Sequence, residues 1–163
     1  VLVVRVHPGF LAKQGLPREV SSDEIWDERF DDIVSFERHM HRSGTRILKF
    51  FLHVSKREQR KRFVERLENP DKYWKFSATD LEERKLWREY MDAYEDMIRN
   101  TATKQAPWFV VPADHKWYTR LVVAAAIVDA LAAMDLKRPP LTPEQQSAIK
   151  LAKKTVEGRS DKP

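Results

Sequence analysis

Residues 56–75 carry eight basic side chains (Lys56, Arg57, Arg60, Lys61, Arg62, Arg66, Lys72 and Lys75) against four acidic ones (Glu58, Glu65, Glu68 and Asp71). That local balance of +4 is most of the chain's formal +5. Clustered guanidinium and ammonium groups focus a field along which a polyanion can lie, and Arg forks suit phosphate oxygens. On a helix, Arg62 and Arg66 stand one turn apart on one face, with Arg57 and Lys61 on an adjoining one. That spacing presents successive forks to successive phosphates. Lys75, in a loop between Trp74 and Phe76, reads as a point charge that a mobile lid would swing in. The plainer reading of the run is a solvated helix face, and of Trp74 and Phe76 that they anchor the loop.

Asp114, Lys116 and Arg120 follow a second apolar run, where a nucleotide base or phosphate can be approached; the plainer reading is that Asp114 caps the next helix. Five histidines invite a metal reading, but only His39 and His41 are close in sequence, and an i, i+2 pair on a helix faces different ways. With no cysteine and no HExxH, no metal site is expected from these residues. There is no nucleophile-elbow motif and no GxxxxGK[ST], and none of the four glycines falls in a phosphate-cradling cluster.

These side chains must be positioned by strands and helices in alternation. Residues 1–6 (VLVVRV) read locally as a β-strand, and Pro8, Gly9, Gly15 and Pro17 as a loop. Ser21 with Glu24 reads as a capping box for an amphipathic helix carrying Trp26, Phe30, Ile33, Phe36 and Met40. Residues 47–54 (ILKFFLHV), interrupted by Lys49 and His53, suit a parallel strand buried on both faces. Ser55 with Glu58 reads as a second box, starting the basic helix that Asn69-Pro70 stops; Thr79 with Glu82 reads as a third, starting a helix striped by Leu86, Trp87, Tyr90, Met91, Tyr94, Met97 and Ile98. A strand at 108–111 and a helix from about 116 to 134, with Leu121, Ala125, Val128 and Leu131, follow. A short capped helix (Thr142, Pro143, Gln145) and a poorly ordered polar tail close the chain. Strands separated by helices predict an α/β fold whose site lies beyond the strands' carboxyl ends. Two parallel strands do not stand alone, so further strands are expected from an upstream part or another chain.

A length of 163 residues is one domain's worth of chain. No apolar run is long enough to span a bilayer and no secretory signal is present, so no membrane association is expected. Zero cysteines fit a reducing cytoplasm. The chain opens on Val1 in mid-run, which reads as an N-terminal truncation.

The motifs FER (36–38), ILKFFLHVSKREQRKRF (47–63), ERLENPDKYWKFSATDLEER (65–84) and APWFVVPADHKWYTR (106–120), in this order, resemble the C-terminal half of the polyphosphate kinase 2 family. The resemblance runs to about Met134. It implies part of a three-layer α/β/α P-loop-kinase-like fold over residues 1–138, with parallel strands and a helical lid hairpin at about 56–100, then a helix and flexible tail at 139–163. It also implies a phosphotransferase working between inorganic polyphosphate and a nucleoside mono- or diphosphate (ADP, GDP or AMP) with Mg²⁺, in a cytoplasmic homo-oligomer. Arg62, Arg66 and Lys75 would then be catalytic lid cations, with Arg57, Lys61 and Lys72 joining them on polyphosphate, and Asp114, Lys116 and Arg120 would lie at the nucleotide end. The family's Walker A and acidic Walker B-like segments fall upstream of Val1, and the Mg²⁺ ligands are expected there. The chain alone is therefore expected not to turn over. In the family register residues 1–6 are a helix, and that register is preferred here.

Two other classes compete. A nucleic-acid-binding module would use the same basic helix and would prefer duplex DNA over polyphosphate. A non-catalytic subunit would have no phosphate loop encoded upstream.

Overall fold

The apolar runs pair in parallel. In the computed structural model, which describes residues 2–16 and 24–158, β1 (Lys49–His53) lies in register with β2 (Trp108–Pro112), from Lys49 opposite Trp108 to His53 opposite Pro112. The ladder runs from Lys49 N–H donating to Pro107 O at 3.1 Å to Ala113 N–H donating to His53 O at 2.9 Å; in this register the nitrogen of Pro112 faces away from β1, so its missing N–H costs the pair nothing. The Phe50 and Phe109 rings stack across the pair at 5.2 Å. Parallel strands need a long crossover. Here it consists of α3 (Lys56–Glu68), a 3₁₀ stretch (Pro70–Lys75), α4 (Ala78–Glu83), a second 3₁₀ turn (Arg84–Leu86) and α5 (Trp87–Thr101).

Lys49, the cation inside an apolar strand, organises the interior. Its ammonium donates to Glu37 Oε2 and to Thr101 O, each at 2.6 Å, and both side chains of the ion pair are nearly buried. Trp108 Nε1–H donates to Thr101 Oγ1 at 2.9 Å, and that hydroxyl donates to Met97 O. One polar network thus ties α2 (Glu24–Arg42) to β1, α5 and β2. Buried charge is tolerated here because the donors and acceptors find partners. Ile25 and Phe30 of α2, Ala93 of α5 and Val111 of β2 form the apolar core beside it.

Several expectations are corrected. Residues 2–6 form a helix, α1 (Leu2–Val6), packed against α5 with Arg5 paired to Asp96 and set over Trp26; the β-branched run folds as the family register implied. Strand β1 is not buried on both faces: Leu52 and His53 are exposed. Thr79 caps nothing, because α4 begins at Ala78 with Ser77 as N-cap, and the long helix expected from there is broken at Arg84–Leu86. Trp74 is 78 % exposed and does not anchor its loop. On α6 (Lys116–Ala133) Leu121, Val128 and Leu131, expected to pack, are exposed. Ser21, Pro17 and the end of the polar tail lie outside the described residues.

The chain forms two compact units, Val1–Ala130 and Leu131–Pro163. The second unit holds α7 (Pro143–Glu157), started as expected by a capping box between Thr142 and Gln145 but fifteen residues long rather than short. Among the described residues no helix is long and apolar enough to cross a membrane.

Candidate active site

The parallel register puts His53 and Pro112 side by side, so the residues after them meet beyond the strands' carboxyl ends. Ser55, extended at φ −68 and ψ 153, starts α3: its Oγ accepts from Glu58 N–H at 3.1 Å. The expected reciprocal half of the box is absent. Ser55 N–H instead donates to Asp114 Oδ1 at 2.7 Å, and Glu58 Oε1 takes Arg62 Nε–H at 2.9 Å. Arg62 Nη2 donates onward to Ala113 O at 2.8 Å and more weakly to Asp114 O at 3.4 Å. The helix is thereby fastened to the loop after β2 at two points. Hydrogen bonding from Ser55, its backbone N–H first, holds the Asp114 carboxyl below the usual carboxylate range, helped by the charges of Arg57 and Arg62.

Between the end of β1, α3 and the α4–α5 segment lies a cleft of about 430 Å³. Phe51, Phe63, Trp87, Tyr90 and Tyr94 form aromatic walls, and Arg66, Asp80, Glu83 and Arg84 supply charge. The Arg66 guanidinium lies 5.5 Å over the Phe63 ring and 3.8 Å from the Asp80 carboxylate. Arg84 Nη1 is held by Lys56 O at 3.0 Å and Gln59 Oε1 at 2.5 Å, which joins the break between α4 and α5 to the first turn of α3. At that break Glu83 Oε2 meets His7 Nε2 at 2.8 Å and accepts the Tyr90 hydroxyl at 2.6 Å. The two hydrogen bonds, His7 first, lower the Glu83 pKa. Burial, then the Glu83 bond, pushes the Tyr90 phenol up to about 12.

The expected lid cations do not all converge. Arg66 lines the cleft; Arg62 turns to the loop after β2, with no partner for its Nη1 among the described residues. Lys61 is exposed, 4.0 Å from Glu65, and Arg57 is exposed at the start of α3. Lys72 and Lys75 sit exposed on the 3₁₀ stretch, the Lys75 ammonium 4.7 Å over the Trp74 ring. Lys116 and Arg120 are exposed on the first turns of α6. Asp114 joins Arg62 and Ser55, and its side chain accepts from Ser55 across the strands rather than capping its own helix.

Asp80, Glu83, Arg84 and His7 were not singled out from the sequence. Trp87, Tyr90 and Tyr94 were legible only as a packing stripe, and nothing local links His7 to a carboxylate 76 positions away. Among the described residues no three His, Cys, Asp or Glu side chains are grouped to hold a metal ion.

The sequence model described as Polyphosphate kinase 2 matches residues 18–139. The chain is 45 % identical over 150 residues to a protein of Rhodopseudomonas palustris named ADP-polyphosphate phosphotransferase, covering 91 % of this chain and 52 % of that one. It is equally identical, with the same coverage, to a Meiothermus ruber protein named AMP/ADP-polyphosphate phosphotransferase. The chain therefore spans about half the length of these two relatives. Its structure superimposes on the crystal structure of polyphosphate kinase 2 from Arthrobacter aurescens with a TM-score of 0.78 at 38 % identity, covering 93 % of this chain and 50 % of that one.

Proposed function

This chain belongs to the polyphosphate kinase 2 family, and from that premise we propose that it serves as the lid-bearing part of a phosphotransferase acting between inorganic polyphosphate and a nucleoside mono- or diphosphate. The observation that supports this most is the charged, aromatic-walled cleft at the strands' carboxyl ends, with Arg66 on its wall and Arg62 fastened to the loop that carries Asp114. In the reaction, a P–O–P anhydride bond of the chain breaks as a nucleotide phosphate oxygen bonds to the transferred phosphorus, so total phosphate is unchanged. What a protein adds is position and neutralisation of charge on the oxygens in transit.

Arg66 and Lys75 are the cations we assign to that charge, with Arg62 contributing through Nη1. Lys72, Lys61 and Arg57 extend the basic surface along the polyphosphate. Lys116 and Arg120 attract the nucleotide's phosphates, while Asp114 acts by holding the base of α3. The acceptor is ADP, GDP or AMP, and the relatives' names favour the adenine nucleotides. Mg²⁺ supplies charge neutralisation when bound, through ligands other than the described residues. The reading includes a cytoplasmic homo-oligomer.

The 163 residues contain no glycine-rich phosphate loop, and we expect the isolated chain to bind polyphosphate without turning it over. Incubating it with polyphosphate, ADP and Mg²⁺ tests this. Steady formation of ATP would overturn the expectation.

A further inference from the structure

A second cluster of cations lies at the other end of the strands. Arg38, His41 and Arg42, near the end of α2, line a pocket of about 310 Å³ with Val34, Thr103 and Gln105. Thr103 and Gln105 belong to the segment entering β2, so this pocket sits by the strands' amino ends, whereas the lid cleft sits by their carboxyl ends. A five-residue strand separates the two by roughly 16 Å.

No carboxylate lines this pocket, and neither the two guanidinium groups nor the His41 ring has an ion-pair partner among the described residues. Arg38 and Arg42 are four apart on one helix, a like-charge pairing that is unfavourable unless an anion offsets it. Cations near a helix C-terminus ordinarily serve its free carbonyls. Three of those on α2 are already served by other donors: Ser43 N–H and Oγ–H donate to His39 O, Thr45 N–H to Met40 O, and Gly44 N–H to His41 O. Thr103 Oγ1 accepts from Ala106 N–H at 3.1 Å, which leaves its own hydrogen to donate. Two guanidinium forks, an imidazole, a hydroxyl and an amide around a cavity without acids make a receptor for an oxyanion.

We propose that Arg38, His41 and Arg42 form a second phosphate-oxyanion site that holds the trailing part of a long polyphosphate chain whose reacting end is at the lid. The polyphosphate identity rests on the function proposed above; the oxyanion site itself does not. A chain of three phosphates occupies either site and is too short to bridge them. A long chain engages both, and its second contact is intramolecular, at high effective concentration.

The test uses the 163-residue chain with ¹³C-labelled histidine, the His41 ring signal being assigned by His41→Gln. In an Arg66→Glu/Lys75→Glu background, which disables the lid, titration with tripolyphosphate shifts the His41 signal saturably. Arg38→Gln/Arg42→Gln abolishes the shift, Arg38→Lys/Arg42→Lys retains part of it, and the other histidine signals report an intact fold. In the otherwise wild-type chain, Arg38→Gln/Arg42→Gln reduces the affinity advantage of long polyphosphate over tripolyphosphate by roughly tenfold or more. A His41 signal that does not move, or moves equally in the Gln variant, overturns the site. A long-chain advantage that survives the Gln variant overturns the trailing-chain role. Failure of the lid assignment leaves the His41 titration unchanged, so the two readings fail separately.

Discussion

Ser55 N–H donates to Asp114 Oδ1 at 2.7 Å, joining the first turn of α3 to the residue two beyond β2 across 59 positions of sequence. The bond takes the place of the Glu58 carboxylate in the capping box and frees Glu58 to hold Arg62. Asp114→Ala removes the acceptor and lowers the thermal midpoint; Asp114→Asn keeps an acceptor and lowers it less. The carboxyl's folded pKa is depressed, so its contribution is present above the ordinary carboxylate value and is lost as pH falls through the depressed one. Protection of the Ser55 amide, the intrinsic exchange rate at the same pH relative to the observed one, falls across that acid window in the native chain and is low throughout in Asp114→Ala.

Arg62 and Arg66 share a helix face but are spent differently. Arg62→Ala removes hydrogen bonds to Glu58 and Ala113 and costs about 1–3 kcal/mol in denaturant unfolding. Arg66→Ala, whose nearest ion-pair partner is 3.8 Å away near the surface, changes stability by no more than about 0.5 kcal/mol. Equal losses in the two variants would contradict the division between a docked and an available guanidinium.

Lys49→Met leaves Glu37 buried without its cation, at a cost of about 3–5 kcal/mol. Joining Glu37→Leu to Lys49→Met removes both charges and destabilises less than either single change. Urea unfolding of the three variants closes the double-mutant cycle.

Of what positions the site, the sequence carried the parts with local signals. The start of α3 was legible at Ser55, its end at Asn69-Pro70, and both strands from apolar runs flanked by punctuation. Partner choice was not legible, because Glu58 had two claims, on the Ser55 amide and on Arg62 one turn away, and a carboxylate 59 positions distant decided between them. Residues 2–6 have strand-like composition yet fold as α1, because packing against α5 and the Arg5–Asp96 pair outweigh β-branching. The cleft's acidic members escaped notice for the same reason, since Glu83 acquires meaning only when His7 and Tyr90 arrive beside it.

The Tyr90–Glu83 bond gives a spectroscopic signature. Tyr90 ionises near pH 12 rather than 10, so its contribution to stability is present below the ordinary phenol value and is lost as pH rises through about 12. Phenolate absorbance in an alkaline titration therefore contains a late component, which Tyr90→Phe removes. At the acid end the Glu83 contribution is lost as pH falls through its lowered pKa, and in Tyr90→Phe that loss begins at higher pH because one of its donors is gone.

Isothermal titration of the 163-residue chain with polyphosphate, at two salt concentrations, bears most directly on whether the lid cations hold this polyanion. The account predicts saturable binding that weakens with salt, and an Arg66→Glu/Lys75→Glu variant bound at least about tenfold more weakly with a smaller salt slope. Unchanged affinity and salt slope in that variant, with its fold intact, would contradict the assignment of the lid.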